Sequence, residues 1–270
     1  MSRITSRAAT EALPLFATST DIALATLVGS VVDSPDGREW MLVQNGGTAL
    51  AAGTVIQSPA ATANHLGLTV TAFTAYSANG NQPAQVTATM GGTGVLPNEY
   101  AGGFAIVNTG TGLGQTLKIA SHKGTSSTTG SVVFTLEDSP AVALDATSTI
   151  SLYRNPAGTI NGGTASSQTV NYSTAGVVVS PATTLTGQTL GVCVYAIPAS
   201  TSTVATYGWI QKAGLCSCLN QGGTTVYRDV MVPGTANGAV ATYAVANGIR
   251  IGFATQTGTD AQQSMIVLKL

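Results

Sequence analysis

Apolar residues in this chain recur at every second position in short runs, and Gly, Ser and Thr break each run before a helical turn can repeat. In Ser131–Glu137, Val132, Phe134 and Leu136 fall on one side, and Val133, Thr135 and Glu137 on the other. Within Thr149–Arg154, Ile150 and Leu152 alternate with Ser151 and Tyr153, and Leu117 and Ile119 form another such pair. A period of two bounded by turn formers marks a half-buried strand, because successive side chains of an extended chain point to opposite faces. No long segment carries apolar residues at three- and four-residue spacing. The chain is therefore predicted to be all-β, built as β-sandwich or barrel domains.

The first hairpin is predicted from Leu27–Val32 and Arg38–Gln44, joined by Asp33-Ser-Pro-Asp-Gly37, since Asp-Gly is a strong turn signal. Further strands are expected at Gly67–Ala75, Gly102–Asn108, Gln115–Ser121, Gly176–Ser180, Leu190–Ile197 and Val204–Gln211. The last third continues with Thr224–Val232, Ala239–Val245, Gly248–Ala254 and Ser264–Leu270. Residues 1–25 lack a strand pattern and read as an extended N-terminal arm or a short irregular cap. Gly and Thr soften the chain at Asn79–Gly94 and Gly158–Ser167. Divisions near 65 and 160 give an N-terminal arm and hairpin region (1–65), a central β domain (66–160) and a C-terminal β domain (161–270). No repeat of fixed period is visible, which argues against a solenoid or β-helix.

Composition narrows the function classes. Charged residues are 8% of the chain, against roughly 25% in an ordinary soluble domain. Their place is taken by hydroxyls and glycine, with 41 Thr and 32 Gly, while the hydrophobic fraction stays at 44%, enough to build a core. A net charge of −1 with no basic run leaves no electrostatic footprint for nucleic acid. No apolar stretch approaches the roughly 20 residues that cross a bilayer, so no membrane partner is expected. Glu11, Pro14 and Asp21 interrupt any signal-peptide core behind Arg3 and Arg7, so secretion by that route is not expected. Three cysteines are too few, and odd in number, for a disulfide framework.

Candidate chemistry is sparse. Cys216 and Cys218 have one residue between them where zinc ligands commonly have two to four, and Cys193, His65 and His122 lie at no ligand-like spacing. Alternation puts Cys216 and Cys218 on one strand face, as small buried thiols. Gly110-Thr-Gly-Leu-Gly114 has neither the third-glycine spacing nor the following helix of a dinucleotide loop, and reads as a turn. There is no phosphate-binding Gly-Lys-Ser/Thr loop, no Gly-x-Ser-x-Gly elbow and no His-Glu-x-x-His pair. The 11 acids include the adjacent Glu137 and Asp138 and the turn residues Asp33 and Asp36, with no pairing that points to glycoside hydrolysis. Tyr207-Gly-Trp209 could stack a ligand, but reads better as a core strand anchored by its Trp. Asn171-Tyr-Ser173 matters as a glycosylation sequon only in a secreted protein. No cofactor, metal or catalytic residue is expected, and the chain is not expected to be an enzyme.

Two stretches carry a resemblance. The first runs through Ala101-Gly-Gly-Phe-Ala-Ile-Val-Asn108, Gly114-Gln-Thr-Leu-Lys-Ile-Ala-Ser121 and Val132-Val-Phe-Thr-Leu-Glu-Asp138. It leads into Ala141-Val-Ala-Leu-Asp145 and Ser151-Leu-Tyr-Arg-Asn-Pro156. The second comprises Tyr207-Gly-Trp-Ile-Gln211, Gly248-x-x-x-Gly252 and the terminal Val267-Leu-Lys-Leu270. Together they resemble the capsid decoration, or cement, proteins of tailed bacteriophages over a little over half of the chain. The resemblance implies a virion component on the outer capsid surface, with the major capsid protein as partner and no catalytic residues to transfer. Weak self-repulsion among crowded copies and closed threefold symmetry fit that role, so a homotrimer clamping adjacent capsid subunits is expected. Arg3 and Arg7 are the expected capsid contacts, pairing with acids on the shell or on a neighbouring protomer. A tail fibre, spike or other host-binding virion protein is the alternative, and a polysaccharide-degrading β enzyme a more distant one.

Overall fold

The structure is a computed structural model that describes residues 10, 12–76, 82–158, 164–165, 168–169, 172–180, 186–221, 230–233, 238–242, 250–256, 259 and 261–270. It is all-β, and the chain divides into two compact units. Unit 1 comprises residues 1–59, 156–158 and 172–270, and unit 2 comprises 60–155 and 159–171. Unit 2 is thus an insertion within the chain of unit 1.

The N-terminal part of unit 1 supplies β1 (Val31–Asp33), β2 (Glu39–Gln44) and β3 (Thr54–Gln57). Unit 2 follows with β4 (Leu68–Thr74), β5 (Gln85–Thr89), β6 (Phe104–Thr109), β7 (Thr116–His122), β8 (Ser131–Leu136) and β9 (Thr149–Tyr153). The two-residue strands β10 (Thr164–Ala165) and β11 (Gln168–Thr169) pair antiparallel. Unit 1 resumes with β12 (Val178–Val179), β13 (Thr189–Cys193), β14 (Tyr207–Leu219), β15 (Val230–Pro233), β16 (Val240–Thr242), β17 (Gly252–Ala254) and β18 (Gln263–Lys269).

Unit 2 contains a closed antiparallel barrel in the order β4-β5-β8-β7-β6-β9. Val132, Phe134 and Leu136 of β8, Leu117 and Ile119 of β7, and Ile150 and Leu152 of β9 point into one buried core, as the alternation requires. Closure removes the sheet edges within this ring. Gly110, Gly112 and Gly114 have φ of +75°, +83° and +86° and turn the chain between β6 and β7.

In unit 1, the described residues form a ten-stranded sheet with the path β12-β3-β13-β14-β18-β17-β15-β16, onto which β2 and β1 are added through β14. Residues 1–65 and 161–270 are therefore not separate regions. Strands from both flanks hydrogen-bond directly, β3 with β13 and β2 with β14. The 13-residue β14 changes partner midway, pairing with β2 from Tyr207 to Ala213 and with β18 from Ala213 to Leu219. A register shift between Gln211 and Ala213 marks the change. There Gln211 Nε2 donates to the carbonyls of Ala213 (2.9 Å) and Leu215 (2.8 Å).

The N-terminal segment takes the cap form over its described part. Asp21 accepts from the Ala23 N–H (2.9 Å) and starts a 3₁₀ helix, Ile22–Leu27, in which Leu24 and Ala25 are buried. This helix and the turn at Gly29 (φ +90°) shorten the strand expected at Leu27–Val32 to Val31–Asp33. The hairpin turn at Asp33–Gly37 forms as expected, with Asp33 paired to Glu39 and Gly37 at φ +80°. Strands β3 and β5 were not expected. The first is buried at all four positions and so does not alternate, and the second has only Val86 and the small Ala88 facing inward. The portions 224–229, 243–245 and 248–249 of expected strands lie outside the described residues.

Candidate functional site

The residues singled out in the sequence disperse. Arg3, Arg7 and Asn171 lie outside the described residues. Cys193, Cys216 and Cys218 are free and buried. Burial pushes the Cys193 thiol up to about 12 and raises Cys218 as well, so these groups stay protonated and are poor metal ligands. Among the described residues, no group of three or more His, Cys, Asp and Glu side chains could hold a metal ion. Tyr207 and Trp209 are fully buried, and the Trp209 indole donates to Leu13 O (2.9 Å). This pair belongs to the core and is not a stacking platform. Glu137 forms a half-exposed ion pair with Lys118 (2.7 Å), and Asp36 pairs with Arg38 across the first hairpin turn (2.7 Å).

The two histidines, unremarkable by spacing, meet inside unit 2. The turn after β5 carries Glu99 and Tyr100, both buried, to the end of β7. Asn98, left-handed at φ +55°, accepts from the His122 N–H through Oδ1 (2.9 Å) while its own N–H donates to His122 O (3.1 Å). Tyr100 lies against His65 of the 3₁₀ turn Ala63–His65 and against His122, with ring centroids 5.6 and 6.0 Å apart. Arg154, just after β9, forms an ion pair with Glu99 and donates to Ala60 O (3.1 Å) and Thr62 Oγ1 (3.3 Å). Its guanidinium also lies 5.8 Å from the Tyr100 ring centre. Burial drives the His122 imidazole down to about 4 and raises the Tyr100 phenol. Both groups are therefore uncharged near neutral pH. Hydrogen bonds tie the turn Asn98–Tyr100 to the end of β7 and to residues 60–65. No sequence signal announces the cluster, because its members come from four separate segments.

Unit 1 offers a surface of a different kind. In register across three neighbouring strands, Leu215 of β14 faces Val267 of β18, which faces Phe253 of β17. Their exposures are 51%, 40% and 47%, whereas the alternating positions Cys216, Cys218, Ile266, Leu268 and Ala254 are buried. Paired residues share a sheet face. The three therefore form an apolar stripe on the outer side of the sheet. Leu215 also lines a groove of about 390 Å³ with Phe16, Val194 and Met265, bordered by the Asp36–Arg38 pair. Phe16 is left-handed (φ +67°) and packs edge-on against Trp40 (5.2 Å) and Tyr195 (5.8 Å), yet remains 55% exposed. Because the border charges neutralise each other, the groove and stripe suit an uncharged, apolar contact.

Comparison with protein-family models, with curated proteins and with solved structures finds no match to this chain.

Proposed function

We propose that the chain is a structural virion protein that decorates the outer surface of a tailed-phage capsid, as a homotrimer clamping adjacent major capsid subunits. The observation that carries this reading is the Leu215–Val267–Phe253 stripe. It is an ordered apolar contact surface on a chain that is otherwise poor in charge and rich in hydroxyls. Fully burying such a side chain contributes roughly 1.5–3 kcal/mol, so one stripe binds weakly by itself. Three such stripes linked in one trimer turn weak contacts into stable occupancy through multivalency. A net charge of −1 limits repulsion between crowded copies. Arg3 and Arg7, outside the described residues, are proposed to pair with acids on the capsid. No catalytic role, cofactor, nucleic acid or membrane is part of the reading.

Quantitative mass spectrometry of purified virions tests it. A copy number on the order of one per major capsid subunit fits closed threefold symmetry over the lattice. The double variant Leu215→Glu/Val267→Glu is then expected to lose at least about tenfold of its shell occupancy, since charge on the apolar face resists burial, while its circular dichroism stays unchanged. A handful of copies per particle favours a tail fibre or spike. Absence from the virion overturns both.

A further inference from the structure

Tyr100 is held at both ends by histidines from different elements. Its backbone N–H donates to His122 Nε2 (3.0 Å), and its hydroxyl meets His65 Nδ1 at 2.5 Å. The second nitrogen of each ring faces a carbonyl, Lys123 O for His122 Nδ1 (3.0 Å) and Thr93 O for His65 Nε2 (3.1 Å). A carbonyl can only accept, so those nitrogens carry protons, and His122 Nε2, which faces the Tyr100 N–H, is a bare acceptor. At His122 the arrangement requires an uncharged ring, because the Tyr100 amide can only donate. A second proton on His122 would set two donors head to head at the Tyr100 amide and leave a cation in a buried site.

We propose that His65 and His122 form an acid-released latch on the turn Asn98–Gly102, which is closed onto the barrel end while His122 is neutral and freed when His122 takes a proton. The latch needs only unit 2 and stands independently of the virion reading.

The groups that face His122 decide the direction. His65, from the 3₁₀ turn, disfavours a positive charge there. Glu99, from the latched turn, favours one, but Arg154 and the Leu96 N–H (3.0 Å) already engage its carboxylate. On β8 the neighbour is the Phe134 ring, with centroids 4.9 Å apart, which offers no counter-charge. Tyr100 remains a neutral phenol, and the next residue along the chain, Lys123, is exposed and faces the ring only through its carbonyl. Burial prevails and holds His122 at about 4, below its ordinary 6.5.

An opened latch returns the ring to its ordinary value, so between pH 6.5 and about 4 the open form binds a proton that the closed form does not. Latch stability is therefore complete above 6.5 and falls as the pH drops towards about 4. Within that window each pH unit favours opening about tenfold.

Hydrogen exchange of the full chain, with protection corrected for the intrinsic rate at each pH, tests this. Protection of the Tyr100 amide is expected to fall about tenfold per pH unit across the window, while the Phe134 amide in the barrel wall keeps its protection. His122→Gln retains an acceptor for the Tyr100 amide and cannot titrate, so the acid-dependent loss is expected to vanish. Flat protection at Tyr100 in the unmodified chain, or the same fall in H122Q, overturns the latch. If H122Q does not fold, nitrogen NMR of the unmodified chain decides. A bare Nε2 at neutral pH with a ring midpoint near 4 supports the latch, and a doubly protonated ring at pH 6 overturns it.

Discussion

Leu13 O is the point at which the N-terminal cap is tied to the sheet of unit 1. It accepts the indole N–H of the fully buried Trp209 at 2.9 Å, and Leu13 is itself buried. A second tie runs through Tyr195, whose hydroxyl donates to Ala17 O (2.9 Å) and accepts from the Trp209 N–H (2.6 Å). Trp209→Phe would remove the indole donor and leave a void, and Leu13 O would lose its partner away from water. Loss of that hydrogen bond together with the void is expected to destabilise unit 1 by about 2–4 kcal/mol. Urea unfolding followed by the fluorescence of Trp40 measures it, and an unchanged midpoint would exclude the tie. The core role of Trp209 was legible in the sequence, where Tyr207-Gly-Trp209 reads as a core strand anchored by its Trp. The role of Tyr100 was not, because its two histidines share no spacing and meet only through tertiary packing.

Strand by strand, legibility followed burial geometry. β7 and β8 alternate because one face meets the barrel core and the other does not, so their inward residues could be read directly. β3 is buried on both faces, and the first half of β14, Tyr207–Gln211, is buried at every position, which erases the period of two. The expected strand ended at Gln211, with Cys216 and Cys218 read apart from it on a strand face, because the partner change at Gln211–Ala213 interrupts the pattern where one strand continues. The glycines separate into two kinds with different consequences. Gly103 immediately precedes β6, where an added Cβ would overlap Tyr153 O, whereas Gly114 (φ +86°) has open space around its missing side chain. Gly103→Ala is expected to cost about 2–3 kcal/mol by overpacking, and Gly114→Ala about 1 kcal/mol from the left-handed conformation alone. Thermal melts by far-ultraviolet circular dichroism rank the two, and an equal or reversed order would refute the assignment of strain.

Across the whole molecule, chain order and spatial order part company. Pairing of β2 and β3 with β14 and β13 joins residues on either side of the inserted barrel. Local composition carries no trace of such long-range pairing, so the sequence suggested three consecutive regions. The barrel has its own core around Phe134 and Ile119, and the sheet of unit 1 has another around Ile266, Val192 and Val55. Each unit therefore has what an independently cooperative transition requires. The chain also supplies a way to see them apart, because its two tryptophans, Trp40 and Trp209, both belong to unit 1. Fluorescence then reports unit 1 alone, while circular dichroism reports both units. Gly103→Ala, which weakens only the barrel, is expected to lower part of the dichroism transition and leave the fluorescence midpoint in place. Trp209→Phe is expected to do the reverse, lowering the midpoint seen by Trp40 while the barrel amides keep their exchange protection. If either substitution shifted both probes by the same amount, the two cores would be melting as one cooperative body, and the insertion would have to be regarded as energetically continuous with the sheet that encloses it in sequence.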